Sequence, residues 1–410
     1  MKEPKIRFKG FSGEWKKSTL GDLALFSKGS GYSKSDICKE GTPVILYGRM
    51  YTKYQSVFDE IDTFVNPKDN SVVSKGGEVI IPGSGESSED ISLAAMVKNE
   101  GVILGGDLNI LKFNQKVNDP AFMSMAITYS PTRAELSSYS QGKTVVHLRN
   151  SEIAKGTIRY PNISEQNTIV NYVLSLDAQI SASTSRLASL KQMKAASLQA
   201  MFPQEGETVP KVRFKGFEGE WKKVKLNTFA KRIMRKNSNL ESSLALTIAS
   251  AHGLVSQAEY FNNLVVGSNI QNYYLLKKGE FAYNKSYSNG YPFGSVKRLD
   301  RYEQGILSTL YIVFSIDDSV SSDYITHFFD TTLWHKEIAE RAEEGARNHG
   351  LLNIATRDFF DIYIWMPDSV KEQQSIASFF TSLDRQIALH TQRLEKLKQI
   401  KAACLDKMFV

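Results

Sequence analysis

The feature that most constrains the fold of this chain is an internal repeat. The segment PKIRFKGFSGEWKK, which begins at Pro4, recurs as PKVRFKGFEGEWKK from Pro210, and twelve of the fourteen positions are identical. Solenoid repeats have periods of about 20 to 50 residues, whereas these two segments are separated by the length of a whole domain. The 410 residues also exceed the roughly 250 to 300 at which a single core stops growing. The sequence therefore predicts one module that is present twice.

A second repeated segment closes each module. EQNTIVNYVLSLDAQI from Glu165 aligns with EQQSIASFFTSLDRQI from Glu372, and the similarity continues to the end of each tail. Between the repeated head and tail, residues 20–155 and 226–360 match only in outline. Ends that are kept around interiors that differ indicate a shared frame that carries two different recognition surfaces.

The repeated tails are predicted to be long helices. Asn162 and Ser369 are suitable N-cap residues, and each has a glutamate three positions later. Apolar residues follow at alternating spacings of three and four, the pattern of a coiled-coil seam. Each helix is expected to span roughly 38 residues, or ~57 Å, and the first should stop before Pro203. The predicted seam comprises Leu176, Ile180, Leu187, Leu190 and Met201 in the first tail and Leu383, Ile387, Leu394, Leu397, Cys404 and Met408 in the second.

The two predicted helices are expected to pair with each other in an antiparallel coiled coil. Neither seam is covered by its own helix, and the two seams have equal length. The second globular region begins where the first helix ends, so the second helix should run back toward the first region. A rod of ~40 to 57 Å would separate two recognition domains by about one to one and a half turns of B-DNA. An ordinary core hairpin is the alternative interpretation.

These patterns predict an α+β fold. We expect two related mixed α/β recognition domains, separated by an antiparallel two-helix coiled coil, in a pseudo-twofold tandem duplication. The expected boundaries are residues 1–160 for the first recognition domain, 161–203 for the first conserved helix, 204–366 for the second recognition domain and 367–410 for the second helix.

The interiors are predicted to contain β-strands followed by one amphipathic helix each. Short apolar runs such as EVIIP from Glu78 and EFAY from Glu280 indicate strands, and the helices are expected over residues 120–138 and 323–344. Gly142 and Gly345 follow these helices, and each is expected to adopt the left-handed conformation at a helix C-terminus.

Polar, basic and glycine-rich segments interrupt the predicted strands and helices. PGSGESS from Pro82 and YNKSYSNGYP from Tyr283 occupy corresponding places after a strand, and YGRMYTKY from Tyr47 and KRIMRKN from Lys231 interleave aromatic and basic residues. Such side chains contact phosphates and base edges, although a plain turn or a solvated loop is the alternative for each segment. The candidate DNA-binding residues are Arg49, Lys53, Ser84, Lys143, Thr144, Arg235, Lys236, Asn284, Lys285, Tyr287, Asn289, Arg347 and Asn348.

Motifs of catalysis and cofactor binding are incomplete in this chain. GKT at 142–144 would need a glycine at Ser137 to form a phosphate-binding loop, and GSG at 83–85 has Ser88 where a dinucleotide fingerprint has its third glycine. Glu-Trp-Lys, at 14–16 and 220–222, resembles part of a nuclease motif, but its place in the repeated head favours a turn with a buried tryptophan. The six histidines show no zinc spacing. We therefore expect no catalytic residue and no metal site.

Composition adds weaker constraints on partners and location. Lys plus Arg outnumber Asp plus Glu by 51 to 44, a net charge of +7 that mildly favours a polyanionic partner. Cys38 and Cys404 are too few for a disulfide framework. No apolar run approaches the ~18 residues of a membrane span, and the start of the chain lacks the apolar core of a signal peptide. A cytoplasmic location without membrane contact is the expectation.

The order of these motifs resembles a known family over the whole chain. The head PxxRFxGFxGEW and the tail, a proline followed by Glu-Gln-x-x-Ile and then Leu-Asp-x-x-Ile, resemble the specificity subunit of type I restriction-modification systems. The resemblance implies two target recognition domains, one for each half of a bipartite DNA site, with an antiparallel pair of conserved helices between them.

The resemblance also implies partners and assigns the chemistry to them. Two modification subunits would dock on the chain and methylate adenine with S-adenosylmethionine, and restriction subunits would translocate and cleave double-stranded DNA with ATP and Mg2+. This chain would then be a non-catalytic subunit that binds no cofactor itself. The main alternative is a duplicated coiled-coil adaptor without DNA readout, which fits the conserved tails but not the variable basic loops. A self-sufficient enzyme is disfavoured by the incomplete motifs.

Overall fold

The computed structural model describes residues 3–142, 144–249, 253–261, 269–288, 290–342, 352 and 354–410. The chain divides into two compact units. Unit 1 comprises Met1–Thr184 and Gln392–Val410, and unit 2 comprises Ser185–Thr391. Each unit therefore contains one recognition domain together with a part of each long helix. Among the described residues, no helix is both long and apolar enough to cross a membrane.

The first half of the chain is rich in short strands and ends in a long helix. A 3-10 turn covers Lys34–Asp36. The helices are α1 (Leu20–Leu23), α2 (Arg49–Thr52), α3 (Ser88–Ile91), α4 (Pro120–Tyr129), α5 (Thr132–Tyr139), α6 (Asn150–Ile153) and α7 (Ile163–Ala200). The strands are β1 (Lys16–Thr19), β2 (Ala24–Lys28), β3 (Ile37–Cys38), β4 (Thr42–Ile45), β5 (Val57–Phe58), β6 (Phe64–Val65), β7 (Val73–Lys75), β8 (Glu78–Pro82), β9 (Ser84–Gly85), β10 (Ala95–Val97), β11 (Glu100–Leu104), β12 (Leu108–Phe113), β13 (Val146–His147) and β14 (Thr157–Tyr160).

The second half follows the same plan. Its 3-10 turns cover Leu226–Thr228 and Ile270–Asn272. The helices are α8 (Gln257–Phe261), α9 (Ser322–Phe328), α10 (His335–Arg341), α11 (Thr356–Phe360) and α12 (Val370–Lys407). The strands are β15 (Lys222–Lys225), β16 (Ala230–Arg232), β17 (Leu246–Ala249), β18 (Gly253–Ser256), β19 (Tyr274–Lys277), β20 (Phe281–Asn284), β21 (Ser295–Arg298), β22 (Gln304–Leu307), β23 (Ile312–Ile316) and β24 (Tyr363–Met366).

The two recognition domains share a strand order although their sequences differ. In unit 1 the sheet runs β2-β12-β8-β10-β5, and in unit 2 it runs β16-β23-β20-β21. β8 and β20 hold the same place, since each is antiparallel to both of its neighbours. All five residues of β8 are buried, as are the first three of β20. Burial on both faces explains why EVIIP and EFAY read as continuous apolar runs rather than as alternating patterns.

The repeated head is held on the start of a long helix by a bidentate ion pair. In unit 1 the Arg7 guanidinium donates to both carboxylate oxygens of Glu165 at 2.8 Å, and the Glu165 side chain is only 1% exposed. In unit 2 Arg213 makes the same pair with Glu372, at 2.7 and 2.8 Å. A bidentate charge-assisted pair fixes orientation as well as distance. The glutamate that follows each N-cap therefore binds the head instead of completing a capping box.

The glutamine of the Glu-Gln motif joins the same helix start to the recognition domain. Gln166 donates to the Pro161 carbonyl at 2.9 Å and accepts from the backbone N–H of Asp119, the N-cap of α4, at 2.8 Å. Gln373 makes the equivalent bonds in unit 2, to the Pro367 carbonyl at 3.1 Å and from the Ser321 N–H at 2.9 Å. The repeated motif thus connects head, helix and recognition domain in each unit.

The long helices are antiparallel within each unit. In unit 1 Tyr172 lies beside Cys404, and Asp177, later in α7, pairs at 2.5 Å with Lys401, which comes earlier in α12. In unit 2 the order is the same, because Lys194 pairs with Asp384 at 2.7 Å while Phe202, beyond the end of α7, lies 6.0 Å from Phe380. The α+β fold with two duplicated domains and paired long helices is confirmed.

The structure gives the length of both long helices and the burial of the residues that were assigned to the seam. α7 and α12 each contain 38 residues, and the Asn162 side chain accepts from the Glu165 N–H at 3.0 Å as an N-cap does. Most of the predicted seam residues are buried, while Ile180 and Ile387 are partly buried against the core. The buried ones are Leu176, Leu187, Leu190, Met201, Leu383, Leu394, Leu397, Cys404 and Met408.

The helices of the recognition domains differ from the prediction. Instead of one amphipathic helix over 120–138, α4 and α5 are separated at Pro131, because proline does not donate the hydrogen bond that a continuing helix needs. Residues Pro120–Thr128 of α4 are all buried, so this helix is not amphipathic. In unit 2 the predicted helix over 323–344 is likewise divided into α9 and α10, and residues from 343 to 344 lie outside the described part.

Gly142 is not the helix cap that its position predicts. α5 ends at Tyr139, and Ser140 in extended conformation follows it. Gly142 has φ +128°, and a Cβ there would lie 2.0 Å from the Val145 carbonyl oxygen. The glycine is required by the close approach of the backbone in a turn. Gly345 lies outside the described residues.

Candidate nucleic-acid interface

In unit 1 the structure brings three of the predicted DNA-binding segments together. β9, from the PGSGESS segment, pairs antiparallel with β13, which begins two residues after Thr144. The Ser84 hydroxyl lies 3.0 Å from the His147 Nδ1 atom. From the third segment, the Tyr51 hydroxyl donates to the Ser84 carbonyl at 2.5 Å. These contacts define a unit 1 loop cluster, formed by residues 47–54, 82–88, 141–142 and 144–149.

Side chains of the unit 1 loop cluster differ in what they offer to a ligand. Thr144 is exposed, and Lys53 is 62% exposed and pairs with Asp62 at the surface, an interaction that an anionic ligand can replace at little cost. The Arg49 side chain is only 10% exposed, because it bonds Asp62 and the Glu60 carbonyl and lies over the Phe58 ring. Arg49 therefore holds the segment in place. Ser84 is buried, and Lys143 lies outside the described residues.

In unit 2 the segment that follows β20 forms the corresponding surface. The Asn284 side chain accepts from the Ser286 N–H at 3.0 Å, and the Lys285 carbonyl accepts from the Leu352 N–H at 3.0 Å. In the sequence, Leu352 follows the predicted Arg347–Asn348 contact. Lys285 is half-buried and Tyr287 is 53% exposed. Asn289, Arg347 and Asn348 lie outside the described residues.

Arg235 and Lys236 lie away from this surface. Arg235 donates to both oxygens of Glu280, which precedes the first residue of β20, whereas Asn284 is its last residue. Lys236 donates to the Asn272 carbonyl at 2.9 Å and lies 4.0 Å above the Tyr274 ring. Arg235 is thus held at the opposite end of β20, and Lys236 is held at the start of β19. The unit 2 loop cluster is accordingly residues 284–288 with 352.

The two loop clusters occupy equivalent positions. Each follows the C-terminal end of the corresponding strand, β8 in unit 1 and β20 in unit 2. Sequence reasoning missed two exposed members of the unit 1 cluster, Tyr47 at 40% exposure and Arg149. Tyr47 lies in a segment that was predicted for its interleaved aromatic and basic residues, and its contact with the Tyr51 ring at 6.2 Å is not visible in the sequence.

A repeated apolar patch marks a second surface in each unit. In unit 2, Met193, Val212, Phe214 and Phe379 line a groove of about 330 Å³, and Val212 is 52% exposed. The repeated positions in unit 1 are Ile400, Ile6, Phe8 and Tyr172, with the Phe8 and Tyr172 rings 5.3 Å apart. Ile6 is 41% exposed. Apolar side chains exposed at the same place in two domains indicate an interaction surface.

Comparisons with known proteins identify the family. The family model of the type I restriction modification DNA specificity domain matches residues 12–192 and again residues 218–399. The chain belongs to this family. Each match covers one recognition domain and most of one long helix, so the tandem duplication is a duplication of the specificity domain.

One solved structure of a specificity subunit supports the fold of this chain. The S subunit of a type I restriction-modification system from M. genitalium is 15% identical in sequence and superposes with a TM-score of 0.62. The alignment covers 100% of this chain and 99% of the M. genitalium chain. HsdS from Thermoanaerobacter tengcongensis is 16% identical with 96% of each chain covered and a TM-score of 0.45. A chain from a structure of type I complex assembly and conformational transition is 15% identical, with 96% and 97% covered and a TM-score of 0.47. No curated protein sequence matches the chain.

One cluster of metal-ligating side chains occurs among the described residues of this specificity subunit, in unit 2. His327, Asp330 and Asp384 place one ligand atom each within 4.8 Å of one another. The Lys194 ammonium lies between the carboxylates, 2.9 Å from Asp330 and 2.7 Å from Asp384, and Lys297 lies 2.9 Å from the other oxygen of Asp330. Two ammonium groups balance two carboxylates, so the cluster is a partly buried ion-pair network.

Asp330 is the centre of this network. Its burial would raise the pKa, but the neighbouring His327 ring and the charges of Lys297 and Lys194 hold the pKa of this carboxyl far below its ordinary value. A depressed pKa stabilises the fold above the pKa of the unfolded chain, about 3.8, and this contribution is lost as pH falls. Acid unfolding of unit 2 should therefore depend on Asp330 below about pH 4.

Replacement of Asp330 is expected to destabilise unit 2 strongly. D330N leaves two lysines without their shared carboxylate, and since Asp330 is partly exposed the cost is expected near the lower end of the roughly 3 to 5 kcal/mol for a buried pair. Urea denaturation should show a lower free energy of unfolding at pH 7, and the difference from the wild type should narrow as pH falls below about 4. The control is D368N, which removes an exposed partner of Lys222 and should change stability little. Equal stability of D330N and D368N would refute the network as a stabilising element.

Proposed function

We propose that this chain is the non-catalytic subunit that reads DNA sequence in a type I restriction-modification complex, with one half of a bipartite target read by each recognition domain. The observation that carries the proposal is the equivalence of the two loop clusters. They follow the same strand end in two domains of the same fold, yet they present different side chains. Domains built alike that carry unlike loops are suited to read two unlike half-sites.

The residues of each cluster support this role in different ways. In unit 1 the exposed Thr144, Lys53, Tyr47 and Arg149 offer donors and cations beside a turn whose glycine permits close approach. In unit 2 Asn284 and Lys285 lie beside the exposed Tyr287. Amide, ammonium and hydroxyl groups of this kind contact phosphates and base edges. The paired helices would set the spacing between the two half-sites.

The repeated apolar patches are the proposed binding surfaces for the partner subunits of the complex. They are built from the head and the long helices, the parts that the two modules share. One modification subunit on each patch would give two per chain, related as the two modules are. Adenine methylation with S-adenosylmethionine, and DNA translocation and cleavage with ATP and Mg2+, would belong to the modification and restriction subunits.

DNA binding by the chain with its modification partner tests the proposal. One split sequence should be bound at least about a thousandfold more tightly than random duplex, and log affinity should fall with log salt by about 0.9 per phosphate neutralised. The measurement is a fluorescence anisotropy titration at several salt concentrations. A duplex with the two half-sites moved apart by five base pairs is the matched control and should bind as random DNA does. Equal affinity for all DNA sequences would contradict the proposal and favour the alternative, a duplicated coiled-coil adaptor without DNA readout.

A further inference from the structure

Unit 1 contains a basic cleft that the DNA-reading role does not use. It has a volume of about 430 Å³ and lies between the β1–β14 ribbon, the α4–α5 connection and the end of α12. Lys5, Lys17, Arg159 and Lys407 contribute four cationic side chains, and the acidic side chains are Glu135 and Asp406. Lys17 and Arg159 are cross-strand neighbours in the ribbon, so their side chains lie on the same face.

The four cations of the basic cleft are only partly balanced by the two acidic side chains that line it. Within 4 Å, none of them forms an ion pair with another described residue. Glu135 is already engaged, since it accepts from the Thr157 N–H at 2.9 Å, the Thr157 hydroxyl at 2.7 Å and the Tyr139 hydroxyl at 2.9 Å. Other cations of unit 1, such as Arg7 and Lys401, are paired with carboxylates. The cleft therefore carries a local excess of positive charge that attracts an anion.

Unit 2 does not repeat this charge. The two head lysines are kept as Lys211 and Lys223, but Trp365 stands in the place of Arg159 and Ala200 in the place of Lys407. Lys223 lies 5.2 Å from the Trp365 ring and 4.0 Å from a Glu337 oxygen. The charge of Lys223 is thus balanced by groups of its own unit. A ligand of the basic cleft would bind once per chain, unlike a partner of the repeated patches.

The lining of the cleft indicates the class of ligand. The Thr132 and Thr157 hydroxyls already donate within the protein, to the Thr157 carbonyl at 2.7 Å and to Glu135 at 2.7 Å. Binding would therefore depend on charge, which favours a multiply charged oxyanion. Tyr129 and Phe409, whose rings lie 6.3 Å apart, form an aromatic wall beside the cations. Cations next to aromatic rings suit a nucleotide, because the phosphate and the base each meet a matching surface.

We propose that the basic cleft binds a phosphate group carried by a nucleotide. The phosphate comes either from a free nucleotide or from the DNA backbone, outside the bases that are read. In both cases Lys17 and Arg159 are the central contacts, and Lys5 and Lys407 complete the ring of charge. This proposal goes beyond the DNA-reading function, since a free nucleotide would bind whether or not the chain reads sequence.

The first arm of the test uses the full chain without DNA. ATP and inorganic phosphate are titrated by isothermal calorimetry into the wild type and into K17Q, R159Q and K223Q. If the source is a free nucleotide, ATP should bind at one saturable site, and K17Q and R159Q should each weaken it about tenfold, as the loss of one charge-assisted bond does. K223Q changes the repeated lysine in unit 2 and should leave the affinity unchanged. Circular dichroism melting of the four proteins shows that all are folded.

The second arm uses the full chain with its modification partner and a DNA duplex. If the source is the backbone, K17Q and R159Q should each reduce the slope of log affinity against log salt by about 0.9, equally for target and random DNA, while K223Q should not. A reduced slope with random DNA supports the cleft even when no target preference is found. The proposal is overturned if neither arm separates K17Q and R159Q from K223Q.

Discussion

A chain that ends after Phe202 is expected to form a homodimer that reads a symmetric DNA site. Unit 1 is completed by Gln392–Val410, which such a chain lacks. Those residues are repeated at the end of α7, since Met201-Phe202 corresponds to Met408-Phe409. Phe409 lies 5.6 Å from Phe122 in the unit 1 core, and Phe202 of a second copy offers the same ring. Exposed helix seams on both copies provide the hydrophobic driving force.

The charges on α7 make this helix self-complementary in the required register. Asp177 pairs with Lys401 in unit 1, and Lys194 is the residue of α7 that corresponds to Lys401. In an antiparallel pair of two α7 helices, Asp177 of each copy would meet Lys194 of the other. The backbone hydrogen bonds between head and helix end are also equivalent in the two units. The Ile6 N–H donates to the Lys407 carbonyl, and the Val212 N–H donates to the Ala200 carbonyl. Ile6 of one copy can therefore bond Ala200 of the other.

Sedimentation equilibrium measures the expected mass of the half chain. Twice the monomer mass is predicted at micromolar concentration, and the K194D variant should dimerise more weakly because two aspartates then face each other. The double variant D177K/K194D restores opposite charges and should recover the dimer. A half chain that is monomeric while its circular dichroism shows a folded protein would disprove the self-pairing of the helix.

The repeated ends of the chain could be predicted from sequence because their signals are local. N-cap residues, the three-and-four spacing and Pro203 define α7 and α12 without knowledge of the rest of the fold. The role of Glu165 was not visible, since its partner Arg7 lies 158 residues away. A capping box is the local interpretation of the same glutamate, and the tertiary ion pair takes precedence over it.

The recognition surfaces were predicted less completely, for a similar reason. Sequence identifies residue types that contact DNA, and it placed the segments of the unit 1 loop cluster in plausible loops. It did not show that Arg49 is bound by Asp62, or that Arg235 is bound by Glu280 45 residues later. Whether a cation is free depends on carboxylates that the fold brings near it. Local pattern does not contain that information.

Exchange of one recognition interior is expected to change one half of the DNA target completely. Residues 20–155 can be replaced by those of another specificity subunit without altering β1, β14 or the Arg7–Glu165 pair. The frame and the partner surfaces then stay constant, while the unit 1 loop cluster is replaced as a whole. Exchange of residues 226–360 is the matched variant, because it replaces the unit 2 loop cluster and keeps Arg213 with Glu372.

Sequencing of methylated adenines in host DNA reads the outcome directly. Each chimera is expressed with the modification subunits, and the methylated sites are aligned to give the two half-sites and the spacing between them. The account predicts that exchange of 20–155 changes one half-site, that exchange of 226–360 changes the other, and that the spacing is kept. A chimera that methylates normally but changes both half-sites, or neither, would contradict the independent reading of two half-sites by two recognition domains.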